Sequence, residues 1–313
     1  NVSHTGSGAR SSSSAFPTAE LGVFVSPVAG SGALHVDEVV AGGPFDNSRT
    51  KLQKGSLITA IDGEKLESGK DYFPLLNDKV GKRLLVSFRT ASGEQVDEVI
   101  RPISSSALND LLYKRWVKQR AEEVERVSKG TLGYVHIPSM GDPSFRTVYS
   151  DVMGKYYQKK GIVIDIRYNG GGRLHEDIEA FFTGKHYADQ VVRDRQYSEM
   201  SSRRWNRPSV LVTCEADYSN AHGTPWVYQH LKVGKVVGMP VAGTMTSVNW
   251  VTLLDPSVYF GIPAVGFRLF DGRYLENTQM EPDVVVPLDP TKVLQGVDTQ
   301  IEKAVEVLRA ETK

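Results

Sequence analysis

The strongest constraint on the fold is an apolar run in the second half of the chain. Residues 161–167 read Gly-Ile-Val-Ile-Asp-Ile-Arg, and such a run is typical of a strand covered on both faces, as in parallel sheets. Helix-like and strand-like segments alternate around it, the strands at 133–137, 209–213 and 233–237 and the helices at 145–159, 175–183, 221–231 and 303–310. The pattern predicts an α/β domain with a mainly parallel sheet flanked by helices over residues 131–313.

Residues 17–105 are instead built from short β-type runs separated by turn residues. Three stretches resemble PDZ domains: Leu-Gly-Val-Phe at 21–24, Val-Ala-Gly-Gly-Pro-Phe at 40–45 and Lys-Gly-Ser-Leu-Ile-Thr-Ala-Ile-Asp-Gly at 54–63. The third departs from the PDZ pattern at Ser56, where an acidic residue is usual. The resemblance implies a small inserted β-rich domain that either binds extended peptides by strand addition or only scaffolds and gates, and both interpretations stay open.

Two further segments complete the predicted organisation. Residues 1–16 hold a Ser-His motif and a Gly/Ser-rich stretch, which predicts a linker or an irregular loop. Residues 106–130 carry apolar residues at three- and four-residue steps, which predicts a connecting helix. Because no initiator Met or signal-peptide pattern is present, we expect a piece of a longer polypeptide, and export stays open.

Charge and cysteine content exclude several functional classes. The chain has 37 Lys and Arg against 37 Asp and Glu, so bulk binding to nucleic acid or to an anionic membrane is not expected. No apolar run approaches the roughly 18 residues of a membrane helix. The single cysteine, Cys214, excludes an intrachain disulfide and a Cys-based zinc site. It fits a reducing compartment without establishing one.

Two strand ends carry residues suited to chemistry, because ligands in parallel-sheet folds bind where the strands end. The run at 161–167 is followed by Tyr-Asn and three glycines, Gly170 to Gly172. Such glycines allow close backbone approach and leave amides free for an anion, or they form a tight turn. The G-x-G-x-x-G pattern and the phosphate-loop lysine are missing, which disfavours a nucleotide-binding protein.

Ser219 follows the strand at 209–213 and begins a predicted helix. The helix dipole and the unpaired amides at that point suit a nucleophile beside an oxyanion site. A plain N-cap serine is the alternative interpretation, and local context favours it. The surrounding residues do not form a G-x-S-x-G elbow, which disfavours an α/β-hydrolase.

A nucleophilic serine needs a base, and the chain has seven histidines. His222 lies three residues after Ser219, and a helical neighbour at that spacing seldom points its ring at the serine oxygen. His175 follows the glycines and lies either in a cleft or on a helix surface. By local context alone His4 belongs to a terminal tail, and the rest lack a supporting pattern: His35, His136, His186 and His230.

These motifs form an ordered set. Ser-His-Thr at 3–5 precedes the PDZ-like segment, and five stretches follow it: Asp-Ile-Arg-Tyr-Asn-Gly-Gly-Gly at 165–172, Tyr-Ser-Asn at 218–220, Val-Val-Gly-Met-Pro-Val-Ala-Gly-Thr at 236–244, Leu-Glu-Asn at 275–277 and Glu-Pro-Asp-Val-Val-Val at 281–286. Together they resemble the tricorn protease core, within the C-terminal-processing superfamily of serine peptidases. The resemblance covers essentially the whole chain and implies a ClpP/crotonase-like α/β fold with an inserted PDZ domain.

The resemblance implies a role for each matching residue. It makes Ser219 the nucleophile and His4 the general base, with Glu276 orienting them through the hydroxyl of Ser3. The implied oxyanion site consists of backbone amides, those of Asn220 and of Gly170 or Gly171. Asn220 stands where an acidic residue is expected, but only its amide is needed.

The resemblance also has implications for the branch of the superfamily, the substrate and the oligomeric assembly. The processing branch uses a Ser-Lys dyad, but residues 243–250 contain no lysine, which favours the His-type branch. Tricorn-type enzymes cleave unfolded oligopeptides as ring-like homo-oligomers without a cofactor or metal, and the cytoplasm is the favoured compartment. An acidic residue that selects basic substrates maps to Asp189. The charged stretch beside it is either a solvated face or a site for a substrate carboxylate: Arg193, Asp194, Arg195, Arg203 and Arg204. A catalytically inactive PDZ-containing peptide-binding scaffold is the alternative function.

Overall fold

The computed structural model describes residues 2–9 and 17–312, which divide into two compact units. One contains residues 2–9 and 117–312, and the other contains residues 17–116.

In chain order the strands are β1 Gly6–Ala9, β2 Val23–Pro27, β3 Leu34–Val39, β4 Leu57–Ile61, β5 Glu64–Lys65, β6 Leu84–Arg89, β7 Gln95–Ile100, β8 Leu132–His136, β9 Gly161–Asp165, β10 Ala188–Val192, β11 Arg195–Met200, β12 Ser209–Thr213, β13 Lys235–Gly238, β14 Thr246–Thr252, β15 Val258–Gly266 and β16 Val284–Val285. The helices are α1 Ser105–Ser128, α2 Asp142–Ser150, α3 His175–Thr183, α4 Asn220–His230, α5 Pro290–Leu294 and α6 Thr299–Glu311, with a 3₁₀ turn at Phe73–Leu76 and a π turn at Asp151–Lys155.

The larger unit is organised around a five-stranded parallel sheet in the order β16-β13-β12-β9-β8. Every residue of β8, β9 and β12 is buried. Successive side chains of a strand point to opposite faces, so Ile162 and Ile164 pack with α2, α3 and α4, whereas Val163 packs with α6 and the end of α1. The predicted α/β domain with a parallel sheet between helices is confirmed.

The carboxyl ends of β9 and β12 lie side by side, because these strands are paired in parallel register. The loops that follow them are bonded to each other. The Tyr218 amide donates to the Asn169 carbonyl at 2.9 Å, and the buried Asp217 carboxyl accepts from the amides of Cys214 at 3.0 Å and Asn169 at 3.3 Å. The glycine loop and the Ser219 loop are thereby fixed against each other.

A second, antiparallel sheet of this unit runs in the order β1-β15-β14. Gly6–Ala9 is therefore a strand, where the sequence predicted a linker or irregular loop over 5–16. Gly6 pairs with Gly261, and the absence of a side chain at Gly8 leaves room for the ring of Tyr259. A Gly/Ser-rich composition hides such a strand, because its pairing comes from a distant partner. Residues 10–16 of the predicted linker lie outside the described residues.

The smaller unit holds a β-sheet in the order β2-β3-β4-β6-β7, with β5 paired to β4. Its core consists of alternating inward side chains such as Val36, Ile58, Leu84, Val86 and Phe88. The resemblance of this unit to a PDZ domain stays a prediction, as do the predicted domain boundaries. Among the helices that the structure describes, none has the length and apolar character needed to cross a membrane.

Candidate active site

Ser219 lies at the turn from β12 into α4, in a backbone conformation that non-glycine residues rarely adopt. Its φ is 59° and its ψ is −122°, and such strained residues cluster at functional sites. Its side chain makes no capping hydrogen bond to the helix, so the serine does not act as an N-cap. Its amide donates to the Thr244 hydroxyl at 2.8 Å, which helps to hold the turn.

The glycine loop is shaped to admit this serine. A Cβ at Gly171 would lie 2.6 Å from the Ser219 Cβ and 2.8 Å from the Tyr218 carbonyl oxygen. Gly171 also has a φ of +98°, in the region that favours glycine. By contrast, a Cβ at Gly170 would meet no atom within 4 Å. The close approach of the two loops therefore depends on Gly171.

Glu276, Ser3 and His4 form a continuous hydrogen-bonded chain. The Ser3 amide donates to Glu276 Oε1 at 2.5 Å, and its hydroxyl donates to Glu276 Oε2 at 3.1 Å. His4 Nδ1 lies 2.6 Å from the Ser3 hydroxyl. Thr246 donates a further bond to Glu276 Oε2 at 2.7 Å. The first residues of the chain are thus anchored to a carboxylate more than 270 positions away.

The chain of hydrogen bonds determines which nitrogen of His4 carries the proton. A serine hydroxyl has one hydrogen, and the Ser3 hydroxyl donates it to Glu276. Ser3 must then accept a hydrogen from His4 Nδ1, which leaves Nε2 as a free acceptor. Partial burial lowers the pKa of His4 from its ordinary value of 6.5, while the negative charge of Glu276 acts to raise it. A lowered pKa favours the neutral imidazole, which can accept a proton.

His4 and Ser219 line the same pocket, which has a volume of about 740 Å³. Within the described residues no hydrogen bond joins His4 Nε2 to the Ser219 hydroxyl, and such bonds are often loose before substrate is bound. The ring of Tyr218 packs against the imidazole with a centroid distance of 4.7 Å. The pocket therefore holds a serine and a base that are brought together from distant parts of the sequence.

Backbone amides complete the pocket. Gly170 and Asn220 both line it, and neither of their amides has an acceptor among the residues that the structure describes. The Gly171 amide instead donates to the Asn169 side chain at 2.8 Å. Of the two glycines proposed for an oxyanion site, Gly170 is thus the one with a free donor.

Comparison with known proteins agrees with this geometry. Residues 131–286 match the model of "Peptidase family S41". This segment carries a peptidase family S41 domain. Over 269 residues the chain is 26% identical to a tricorn protease homolog of Saccharolobus solfataricus. The aligned region covers 84% of this chain and 24% of that protein. Over 261 residues it is 26% identical to the tricorn protease of Thermoplasma acidophilum. That alignment covers 83% of this chain and 24% of that protein.

The fold comparison points the same way. The crystal structure of the tricorn protease superposes with a TM-score of 0.79 and 23% identity, covering 99% of this chain and 31% of that one. The predicted resemblance to the tricorn protease core is confirmed, and these matches agree with the predicted class of serine-type peptidases. The chain spans about a quarter of the length of the curated relatives it matches.

In the S41 domain the side chain of Asn220 makes hydrogen bonds of its own. Its Oδ1 accepts from the amides of Leu174 at 2.9 Å and His175 at 3.1 Å, and its Nδ2 lies 2.8 Å from His175 Nδ1. The amide group can only donate to that ring nitrogen, so His175 carries its proton on Nε2. Sequence reasoning assigned no role to this side chain, which ties the start of α3 to the start of α4.

Other residues of interest lie elsewhere in the S41 domain. Asp189 is on β10, bonded to His186 at 2.8 Å and Gln196 at 2.7 Å, and is not among the residues that line the Ser219 pocket. His222 is buried and bonded to the Thr278 carbonyl at 2.9 Å. His136 is buried and bonded to the Arg167 carbonyl at 3.0 Å.

Three contributors to the site were missed from the sequence. Tyr218, Thr244 and Thr246 contact His4, Ser219 and Glu276 respectively. The two threonines lie within 243–250, the stretch whose lack of a lysine favours the His-type branch. Their hydroxyls carry no pattern of their own, because their partners are remote in the sequence.

Proposed function

We propose that the chain is a serine endopeptidase that hydrolyses unfolded oligopeptides through an acyl-enzyme, with Ser219 as nucleophile and His4 as general base. One observation supports the proposal most strongly. The hydrogen bonds from Glu276 through Ser3 to His4 leave the free Nε2 of the imidazole in the pocket that also holds Ser219. That is the arrangement that activation of a serine by a base requires.

In the proposed reaction, His4 Nε2 takes the hydroxyl proton as Ser219 Oγ attacks the peptide carbonyl carbon. The resulting imidazolium is stabilised through its Nδ1–H by Ser3, whose hydroxyl points to Glu276. The C–N bond then breaks, and the proton on Nε2 passes to the leaving amine. A water molecule repeats the sequence on the acyl-enzyme: it gives a proton to His4, and the free carboxylic acid is released as Ser219 regains its hydrogen.

The amides of Gly170 and Asn220 are the proposed donors to the oxyanion. Asn220 is the first residue of α4, where the helix dipole favours negative charge. Loss of one such donor typically costs about 3–4 kcal/mol in transition-state stabilisation. Gly171 contributes space for Ser219 rather than a donor, since its own amide is bonded to Asn169.

Cleavage of a quenched fluorescent oligopeptide by the full chain tests the proposal. We expect Ser219→Ala to lower kcat on the order of 10⁴-fold or more, because the nucleophile is lost. His4→Ala should have a similar effect, and the double variant should be no worse than either single one. Ser257→Ala, at an exposed turn serine, is the control and should keep full turnover. Unchanged turnover in Ser219→Ala would remove this serine from the mechanism. Absence of turnover in the parent chain would instead favour the catalytically inactive peptide-binding scaffold.

Assembly into a ring-like homo-oligomer is part of the proposal. In such a ring Asp189, on the exposed hairpin β10–β11, is the candidate for selecting basic substrate residues from a neighbouring copy. The solution mass of the chain, measured by light scattering across a range of concentrations, tests the assembly. A monomer at all concentrations would contradict it.

A further inference from the structure

One wall of the Ser219 pocket is apolar and open. It consists of side chains from β14, β15 and the segments beside them: Met245, Val248, Trp250, Val265 and Phe267. Trp250 is 57% exposed and Val265 is 55% exposed. Large exposed apolar side chains next to a reactive group usually mark a binding surface.

Trp250 is held in a defined position. It lies directly across from Gly261 in the β14–β15 pair. A Cβ at Gly261 would lie 2.6 Å from the indole ring and 3.0 Å from the carbonyl oxygen of His4. The ring of Tyr259 packs edge-on against the indole at a centroid distance of 5.4 Å. The glycine therefore lets the indole lie on the strand, near the backbone of His4.

The Arg and Glu side chains that line the pocket have opposite charges, so together they favour neither sign of charge on a substrate residue. Arg173 and Glu176 lie 4.0 Å apart and pair with each other, and both are largely exposed to solvent. His175 presents an Nε2–H donor, which suits a carbonyl oxygen of a peptide better than a charged side chain. The exposed apolar surface of the wall is thus the feature of the pocket that remains available to a substrate side chain.

We propose that Trp250 and Val265 form a subsite for a large apolar side chain of the peptide substrate, next to the bond that is cleaved. This inference rests on the proposed peptidase function and names its substrate class: peptides with an aromatic or large aliphatic residue at the cleavage site. A side chain seated there removes apolar surface of the wall and of the substrate from water, which favours binding in proportion to the area. An aromatic substrate residue gains further from packing against the indole.

A peptide series tests the subsite. The peptides share one framework and carry Phe, Leu, Ala, Lys or Asp on either side of the scissile bond, and kcat/KM is measured for each. We expect Phe and Leu at one position to exceed Lys and Asp by about tenfold or more. Trp250→Ala should lower kcat/KM for the Phe peptide several-fold more than for the Ala peptide. Trp250→Phe should keep most of the preference.

Matched variants distinguish loss of the subsite from disruption of the sheet. Val251→Ala changes the next residue of β14, which points to the opposite face, and should leave the preference unchanged. Val265→Lys places a cation at an exposed position and should shift the preference towards the Asp peptide even if Trp250→Ala does not fold. Thermal unfolding of each variant shows which of them are folded.

Three results would overturn the inference. A profile that favours Phe or Leu at neither position, in a chain whose Ser219 reacts with a fluorophosphonate, would remove the apolar subsite but leave the peptidase. Conversion of an oligomer to a monomer by Trp250→Ala would make the wall a contact between copies. Absence of both turnover and fluorophosphonate labelling would remove the proposed function and the subsite together.

Discussion

The imidazole of His4 lies against the phenol ring of Tyr218, with the two ring centroids 4.7 Å apart. Tyr218 directly precedes Ser219, so one loop supplies both the proposed nucleophile and a support for its base. Ser3 and Glu276 fix one nitrogen of the imidazole, and the tyrosine ring limits its tilt. Three residues from three distant parts of the chain, Ser3, Tyr218 and Glu276, thereby define the position of a single ring.

Removal of this support should impair the base more than the fold. We expect Tyr218→Ala to lower kcat about 10- to 100-fold, because small displacements of a catalytic group are costly. Tyr218→Phe keeps the ring and should stay within about threefold of the parent chain. Steady-state kinetics of the two variants provide the comparison. Equal losses would show that the hydroxyl, rather than the ring, matters.

The pH profile should report the environment of His4. The base must be neutral to accept a proton, so kcat/KM rises with pH through the His4 pKa. Burial lowers that pKa below 6.5, and the charge of Glu276 partly opposes the effect. Glu276→Gln removes the opposing charge, so the midpoint of the acid limb should move to lower pH while kcat falls on the order of 10²-fold. A midpoint that moves to higher pH contradicts the assignment.

The two neighbouring glycines should respond differently to alanine. Gly171→Ala places a methyl group against Ser219 and forces an L residue to a φ of +98°, so we expect activity to be lost and the unfolding temperature to fall. Gly170→Ala meets no atom within 4 Å and keeps its amide. It should retain most activity. Activity assays and thermal unfolding of both variants test the prediction. Full activity and an unchanged unfolding temperature in Gly171→Ala would be incompatible with the close packing of the two loops.

Asp217 should make the free energy of unfolding depend on pH. Burial raises its pKa from 3.8 to about 8, with the Cys214 and Asn169 amides acting in the opposite direction. The folded state then holds the proton more tightly than the unfolded state, so stability should fall as pH rises from about 4 to about 8. Asp217→Ala should weaken this slope and cost about 1–3 kcal/mol, because the buried Cys214 amide loses its acceptor.

Denaturant unfolding at pH 5 and pH 8 measures the effect. Asp110→Ala, at an exposed carboxylate of α1, is the control and should leave the slope unchanged. An identical slope in the parent chain and in Asp217→Ala would mean that this carboxyl does not titrate in the range.

The sequence predicted the central sheet well because its strands have a local signature. The run at 161–167 is apolar throughout, since both faces of β9 are covered, and α3 was predicted with its observed bounds. The hairpins β10–β11 and β14–β15 were not predicted. Their strands are largely exposed, so they lack the alternation of apolar and polar residues on which strand prediction depends.

The candidate site was harder to predict than the sheet from local sequence patterns. The backbone strain at Ser219, the space at Gly171 and the hydroxyls of Thr244 and Thr246 depend on contacts between remote residues. The role of His4 came from family resemblance alone, because a Ser-His pair at the start of a Gly/Ser-rich segment has no local pattern. Its anchoring by β1 and Glu276 is a property of the folded chain.

Covalent labelling tests the central claim most directly. The full chain is incubated with a fluorophosphonate, and intact mass and peptide mapping locate the adduct. We predict one adduct per chain on Ser219, formed much more slowly in His4→Gln and absent in Ser219→Ala. No adduct, an adduct on another serine, or an equal rate in His4→Gln would contradict the assignment of Ser219 and His4 as nucleophile and base.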